Sequence, residues 1–179
     1  MALTATMYTF DVALSDIGRG VYETLAIKAA CHPSESAEYL ATRVLAYCLE
    51  YAEGISFSKG LSEPDEPAIS IRDLTGDLRS WIEIGAPDAA RLHRASKASP
   101  RVAVYTHREL RLLLQGYAGQ RIHRAEAVEL YAFDRDLLSA FVARLDRRVR
   151  FALTATEGEL FLDFGGAQIQ GRVTRLAIA

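Results

Sequence analysis

Apolar and polar positions alternate along residues 4–14 (TATMYTFDVAL), a period of two that predicts a strand with one buried side. Turn residues follow at 15–20 (SDIGRG), and 21–30 (VYETLAIKAA) reads as the returning strand of a hairpin. The period then changes. Within 32–54 (HPSESAEYLATRVLAYCLEYAEG), Leu40, Val44, Tyr47, Cys48 and Tyr51 fall at helical spacings and form an apolar stripe. Ser34 or Ser36 caps the first amides, and Gly54 marks the end.

Strands are expected at 55–58 (ISFS), 67–74 (PAISIRDL) and 78–85 (LRSWIEIG), then a basic helix at 87–99 (PDAARLHRASKAS) and a buried strand at 101–106 (RVAVYT). Residues 108–115 look helical and 127–133 (AVELYAF) strand-like. The run 134–148 (DRDLLSAFVARLDRR) predicts a helix with Leu137, Leu138, Phe141 and Leu145 inward, and 149–178 a β-meander around EG and GG turns. The series predicts a mixed α/β protein, a central mixed β-sheet flanked by helices with additional N- and C-terminal β-hairpins.

No repeat, linker or low-complexity run divides the 179 residues, so a single domain over 1–179 is expected. The net charge of -2, from 21 basic and 23 acidic side chains, gives no overall basic excess; any nucleic-acid surface has to be local. Cys31 and Cys48 lack zinc spacing and read as two buried free thiols of a reducing cytosol. The start lacks a signal-peptide pattern, and no stretch approaches the roughly 18 apolar residues of a membrane span, so a cytoplasmic protein with no membrane contact is expected.

Most short motifs carry no chemistry. SFSK (56–59) matches SxxK but lies on a strand without its partner motifs, and DFG (163–165) sits in a hairpin. There is no glycine-rich phosphate loop, and His32, His93, His107 and His123 have no ligand spacing.

One charge is out of place. Side chains alternate along a strand, so Trp81, Glu83 and Gly85 share one face and Ile82 and Ile84 the other. An ionised carboxylate in an apolar layer costs roughly several kcal/mol unless it is paired or binds a metal. Arg91 and Arg94 on the next helix, or Lys59, are candidate partners.

The surroundings offer another explanation. A helix ending in Glu50, a strand ending near Lys59, and a hairpin with Asp65 and Glu66 at its entry and Glu83 inside resemble the layout of the PD-(D/E)xK nuclease core. Such a core holds a divalent cation by carboxylates beside the scissile phosphate and steadies the attacking hydroxide with a Lys. The resemblance implies Mg²⁺ as cofactor, Glu83, Glu66 and Glu50 as its ligands, and Glu83, Glu66 and Lys59 as the catalytic set.

Two positions depart from that pattern: Gly85 stands where the motif has Lys, and Ala68 where it has Asp. A two-residue Thr75-Gly76 turn places Ala68 opposite Glu83 and Arg72 opposite Arg79. A three-residue turn at 75–77 instead pairs Asp73 with Arg79 and Ile71 with Trp81, and sets Glu83 against Ile69. The sequence leaves both registers open. Glu50 also reads as a solvated helix-end residue, and Glu35 as a carboxylate favoured by a helix N-terminus.

In combination, HPSE (32–35), SKGLS (58–62), DEP (65–67), LTG (74–76) and WIEIGAPD (81–88) resemble the YaeQ family of bacterial proteins. The likeness is spread over residues 1–107, and the remainder agrees in length and order. It implies a restriction-endonuclease-like core at about 32–107, followed by a C-terminal helix and β-meander at 108–179. Two functions fit. One is a divalent-metal-dependent phosphodiesterase acting on nucleic acid through a rearranged site. The other is a catalytically inactive nuclease-fold module whose Arg91, Arg94 and Lys97, with His93, bind nucleic acid or a protein partner.

Overall fold

The structure, a computed structural model, describes residues 4–59 and 65–179; residues 60–62 of the SKGLS run lie outside them. The elements begin with β1 (Thr6–Asp16), β2 (Val21–Cys31), α1 (Ala37–Glu50), β3 (Ile55–Phe57), β4 (Ile69–Arg72) and β5 (Leu78–Ile84). They continue with α2 (Ala89–Ala98), β6 (Arg101–Thr106), α3 (Leu110–Tyr117), β7 (Glu129–Phe133), α4 (Arg135–Val142), β8 (Arg148–Thr156), β9 (Glu159–Asp163) and β10 (Gln168–Ala177). The mixed α/β class is as expected. No described helix is long and apolar enough to cross a membrane.

The chain forms two compact units. The first comprises residues up to Leu49 together with Phe133–Thr174, and the second Glu50–Ala132 with Arg175–Ala179. In the first unit the strands run in the order β2-β1-β8-β9-β10. β1 and β2 form the expected antiparallel hairpin, and β1 lies parallel to β8. Alternation buries one face: Phe10, Val12 and Leu14 on β1, Leu25, Ile27 and Ala29 on β2, and Val149, Phe151 and Leu153 on β8. Phe141 of α4 meets Phe151 edge-on at 5.3 Å between centroids. At the start of α1, the Ser36 hydroxyl accepts the Tyr39 amide at 3.0 Å, so Ser36 is the cap.

The helix expected over 134–148 is shorter. α4 stops at Val142, and Leu145 sits half-buried in the turn that follows. The competing structure is a β-ladder: the Thr9 amide of β1 takes the carbonyl of Arg147, and β8 starts at the next residue. Cys31 is only half-buried, whereas Cys48 is fully buried and burial pushes its thiol up to about 12.

The second unit carries the strand order β7-β6-β5-β4-β3. β5, β6 and β7 are parallel, and β3 and β4 add antiparallel edges. On one face of this unit Trp81, Val102, Val104 and Leu130 pack with Leu92 and Ala95 of α2 and with Leu113 and Tyr117 of α3. α2 is the crossover between parallel neighbours, the connection such strands require.

Gly54 fixes the entry to β3. It has a φ of +88°, and a Cβ there would lie 1.9 Å from the Arg72 carbonyl oxygen, while its own carbonyl accepts the Arg72 amide. Gly20 also has a positive φ, +67°, but nothing lies within 4 Å of its would-be Cβ. Gly20→Ala is expected to cost about 1 kcal/mol from backbone strain alone, and Gly54→Ala clearly more, because β4 must also move. Urea melts of the two variants measure the difference; equal losses would show that the close approach to Arg72 has no energetic weight.

Candidate functional site

The hairpin that carries Glu83 has a register that neither turn model contains in full. Ile69 pairs with Ile82, Ser70 with Trp81 and Ile71 with Ser80, then the ladder shifts so that Arg72 pairs with Leu78. Arg79 is the bulged residue. Continuing the inner register places Ala68 across from Glu83, as the two-residue turn implied. The loop itself is longer: the Asp73 amide bonds the Asp77 carbonyl across Leu74, Thr75 and Gly76. The bulge lets Arg79 bond Asp73 at 2.8 Å instead of facing Arg72, so the like-charge clash does not arise. The Thr75 hydroxyl, opposed by some burial and helped by the Asp77 amide and Arg79, holds the Asp73 carboxyl down to about 2.

Trp81 and Glu83 do share a face. The indole N–H donates to Glu83 Oε1 at 2.5 Å, and Arg91 Nε reaches the same oxygen at 2.9 Å. Glu83 is 5% exposed. Arg91 also lies over the Trp81 ring at 5.8 Å and donates to the Glu66 carbonyl at 2.6 Å. Its position follows from the helix start, where the Asp88 side chain caps α2 by accepting the Arg91 amide at 2.7 Å. Tyr117 closes the site from α3, its hydroxyl bonded to the Pro87 carbonyl at 2.7 Å. Burial, then the Glu83 and Asp88 charges, hold that phenol above its ordinary range.

The other sequence-selected residues are not gathered here. The Glu66 side chain is exposed, and its backbone oxygen, not its carboxylate, joins Arg91. Lys59, Arg94 and Lys97 are exposed. Glu50 is buried on the opposite face, the one carrying Ser80. Among the described residues, no group of three His, Cys, Asp or Glu side chains is placed to hold a metal. Gly85 has a φ of +89° and follows the last residue of β5. A Lys there would be strained and off the strand face, so the backbone at position 85 does not suit the Lys that the nuclease motif has.

A second polar cluster went unforeseen. Arg101, at the start of β6, donates to both oxygens of Glu50, at 2.7 and 2.9 Å, and to both oxygens of Glu129, at 2.8 and 3.2 Å. The Tyr105 hydroxyl adds a 2.7 Å bond to Glu50 and the Tyr131 hydroxyl a 2.6 Å bond to Glu129, with the two rings stacked at 4.6 Å. Arg175 approaches Glu129 at 3.8 Å. Residues so far apart in the chain carry no joint signal; the one cue was the alternation Arg101, Ala103, Tyr105, which puts a cation on a strand that otherwise reads as buried.

The family model described as YaeQ protein matches residues 1–173. The uncharacterized protein YaeQ of Escherichia coli K12 is 31% identical over 165 residues, 90% of each chain, and that of Salmonella typhi 32% over 166 residues, with the same coverage. The crystal structure of YaeQ protein from Pseudomonas syringae superposes with a TM-score of 0.85 at 30% identity, covering 97% of this chain and 96% of that one. The YaeQ protein from Xanthomonas axonopodis pv. citri gives 0.86 at 29% identity, covering 97% and 99%. The chain belongs to the YaeQ family.

The Arg101 cluster sets a pH dependence. Burial disfavours the charge on Glu129, but hydrogen bonds from Arg101 and Tyr131 outweigh it and leave the carboxyl below its ordinary range. A depressed folded-state value stabilises fully above the unfolded value of about 4.3 and is lost as pH falls from there through the folded value. The wild type should therefore lose stability over that acid window, and Glu129→Gln should lose part of that dependence. Denaturant midpoints measured from pH 6 downward check this; parallel curves would remove Glu129 from the acid response.

Proposed function

We propose that this YaeQ-family protein is a binding module on a nuclease-like core, without hydrolytic chemistry at Glu83. The observation that carries this reading is the closed Glu83–Arg91 pair. A single oxygen of Glu83 receives both the indole N–H and the guanidinium, and Arg91 is further engaged by the Glu66 carbonyl. The order α1–β3–β4–β5–α2–β6 agrees with a nuclease-type core.

Mg²⁺ fits these residues poorly. It demands about six oxygens at short range in near-octahedral array. Glu83 supplies an oxygen already bonded to two N–H groups, Glu66 turns its carboxylate to solvent, and Glu50 is bonded to Arg101 on the other face. Glu83 is accordingly a positioning residue: it holds Arg91 and so ties the Asp88-capped first turn of α2 to β5.

What α2 then presents is charge. Arg94 and Lys97 are exposed on it, and no carboxylate occurs between Asp88 and Glu109. Such a face suits a polyanion, and nucleic acid is the partner class it fits.

Two measurements test this. Replacing Arg94 and Lys97 together by Ala should weaken duplex DNA binding and lower the slope of log affinity against log salt by about 2; an unchanged slope would remove α2 from the binding surface. Glu83→Gln should cost about 2 kcal/mol through the weakened bond to Arg91, equally with and without Mg²⁺. A melting temperature that rises with Mg²⁺ in the wild type but not in Glu83→Gln would instead support a metal site there.

A further inference from the structure

The cationic surface extends beyond α2. Residues 118–124 (AGQRIHR) follow α3, and carboxylates are absent from Leu110 through Ala125. Three contacts tie this segment to α2. The His123 amide donates to His93 Nδ1 at 3.0 Å. The His93 and His123 rings meet edge-on at 6.3 Å. The Arg124 guanidinium donates to the carbonyls of Ser96 and Ser99 at 2.7 and 3.0 Å, satisfying acceptors at the C-terminal end of α2.

Arg124 adopts the left-handed region, φ +47°, which costs a non-glycine residue about 1 kcal/mol or more and persists only where neighbours enforce it. The segment is thus held in one shape before any partner arrives, which lowers the entropic cost of binding. Arg121 and His123 are exposed on it, and Arg94 and Lys97 on α2. Lys97, Arg121 and His123 lie near enough to His93 for their charges to lower its affinity for a proton, after the effect of its own burial. Lys97, Arg121 and His123 therefore share one field around His93.

We propose that α2 and residues 118–124 form a two-walled surface for the phosphate backbone of duplex nucleic acid, with Arg94 and Lys97 on one wall, Arg121 and His123 on the other, and His93 holding the walls together. This rests on the polyanion-binding reading above and extends it to a second segment and a partner form. A duplex is favoured because neither wall contains Trp, Tyr or Phe. Tyr117 beside them is buried. Single-strand binding relies on aromatic platforms, whereas phosphate contacts alone position a duplex. His93 is a positioning residue: as a neutral acceptor it fixes where Arg121 and His123 stand.

The test is anisotropy of a fluorescein-labelled, mixed-sequence DNA duplex titrated with the full chain at several salt concentrations. Arg121→Ala should reduce the salt slope by about 1. His93→Phe keeps a ring but deletes the acceptor; it should lose as much as Arg121→Ala, and the two together no more than either. His93→Asn, which restores an acceptor near the Nδ1 position, should recover wild-type binding. If His93→Phe fails to fold, Arg121→Ala, an exposed site, decides alone.

Binding that depends on Arg94 and Lys97 but not on Arg121 or His93 overturns the second wall and leaves the binding-module reading standing. No binding of duplex by the wild type overturns both. Tighter binding to single-stranded DNA, heparin or poly-glutamate than to the duplex overturns the partner assignment.

Discussion

A carboxylate taken out of water must be neutralised where it lies, and this requirement organises the second unit. Its parallel strands bury acids on both faces: Glu83 on one side of β5, and Glu50 with the half-buried Glu129 on the side that carries Ser80. Leaving any of them bare would cost several kcal/mol, roughly, comparable to the margin by which a domain is stable. Each finds an arginine. The planar guanidinium suits the task, since its fork of donors can serve two partners at once. Arg101 joins Glu50 to Glu129, and Arg91 joins Glu83 to the Glu66 backbone. The ion pairs thereby bind Glu50 to β6 and β7, and the strand β5 to both the approach to β4 and the first turn of α2.

Much of the architecture was legible because it is written in periodicity. The period of two exposed β1, β2 and β8, and the stripe from Leu40 to Tyr51 exposed α1, since burial on one face demands those spacings. Where the reading failed, a long-range ladder competed with local preference. The run 134–148 has helical spacing throughout, but the pairing of β8 with β1 takes over at Arg147. The hairpin register was open for a related reason. A bulge absorbs one residue, so the loop can be three residues long while the inner strands keep the register of a two-residue turn. Nothing local announces a bulge at Arg79; it is selected by the pairing of Arg79 with Asp73.

The site was half legible. That Glu83 must be compensated follows from alternation alone, and Arg91 stood among the candidate partners. Choosing Arg91 over Arg94 or Lys59 needed the helix cap: with Asp88 as N-cap, Arg91 lies in the first turn, facing the strand it has just left. The cluster around Arg101 was not legible, because single bonds within it join residues as much as 55 positions apart, which converge only through strand order.

The absence of a Lys at position 85 acquires a physical reason from the backbone. β5 ends at Ile84, and the chain turns through a left-handed glycine, with the Gly85 amide bonded to Tyr105 at 2.8 Å. A long cationic side chain at that position would neither follow the strand nor share the face of Glu83. The charge that compensates Glu83 comes instead from Arg91, eight residues on, positioned by the helix cap. A lysine on the strand leaves the carboxylate oxygens open to a metal, whereas a guanidinium lying over Trp81 closes the nearer one. The same ion pair ties the first turn of α2, already capped by Asp88, to β5, and so helps set where its exposed cations stand. A single ion pair thus satisfies the buried carboxylate and anchors the first turn of the helix that carries Arg94 and Lys97.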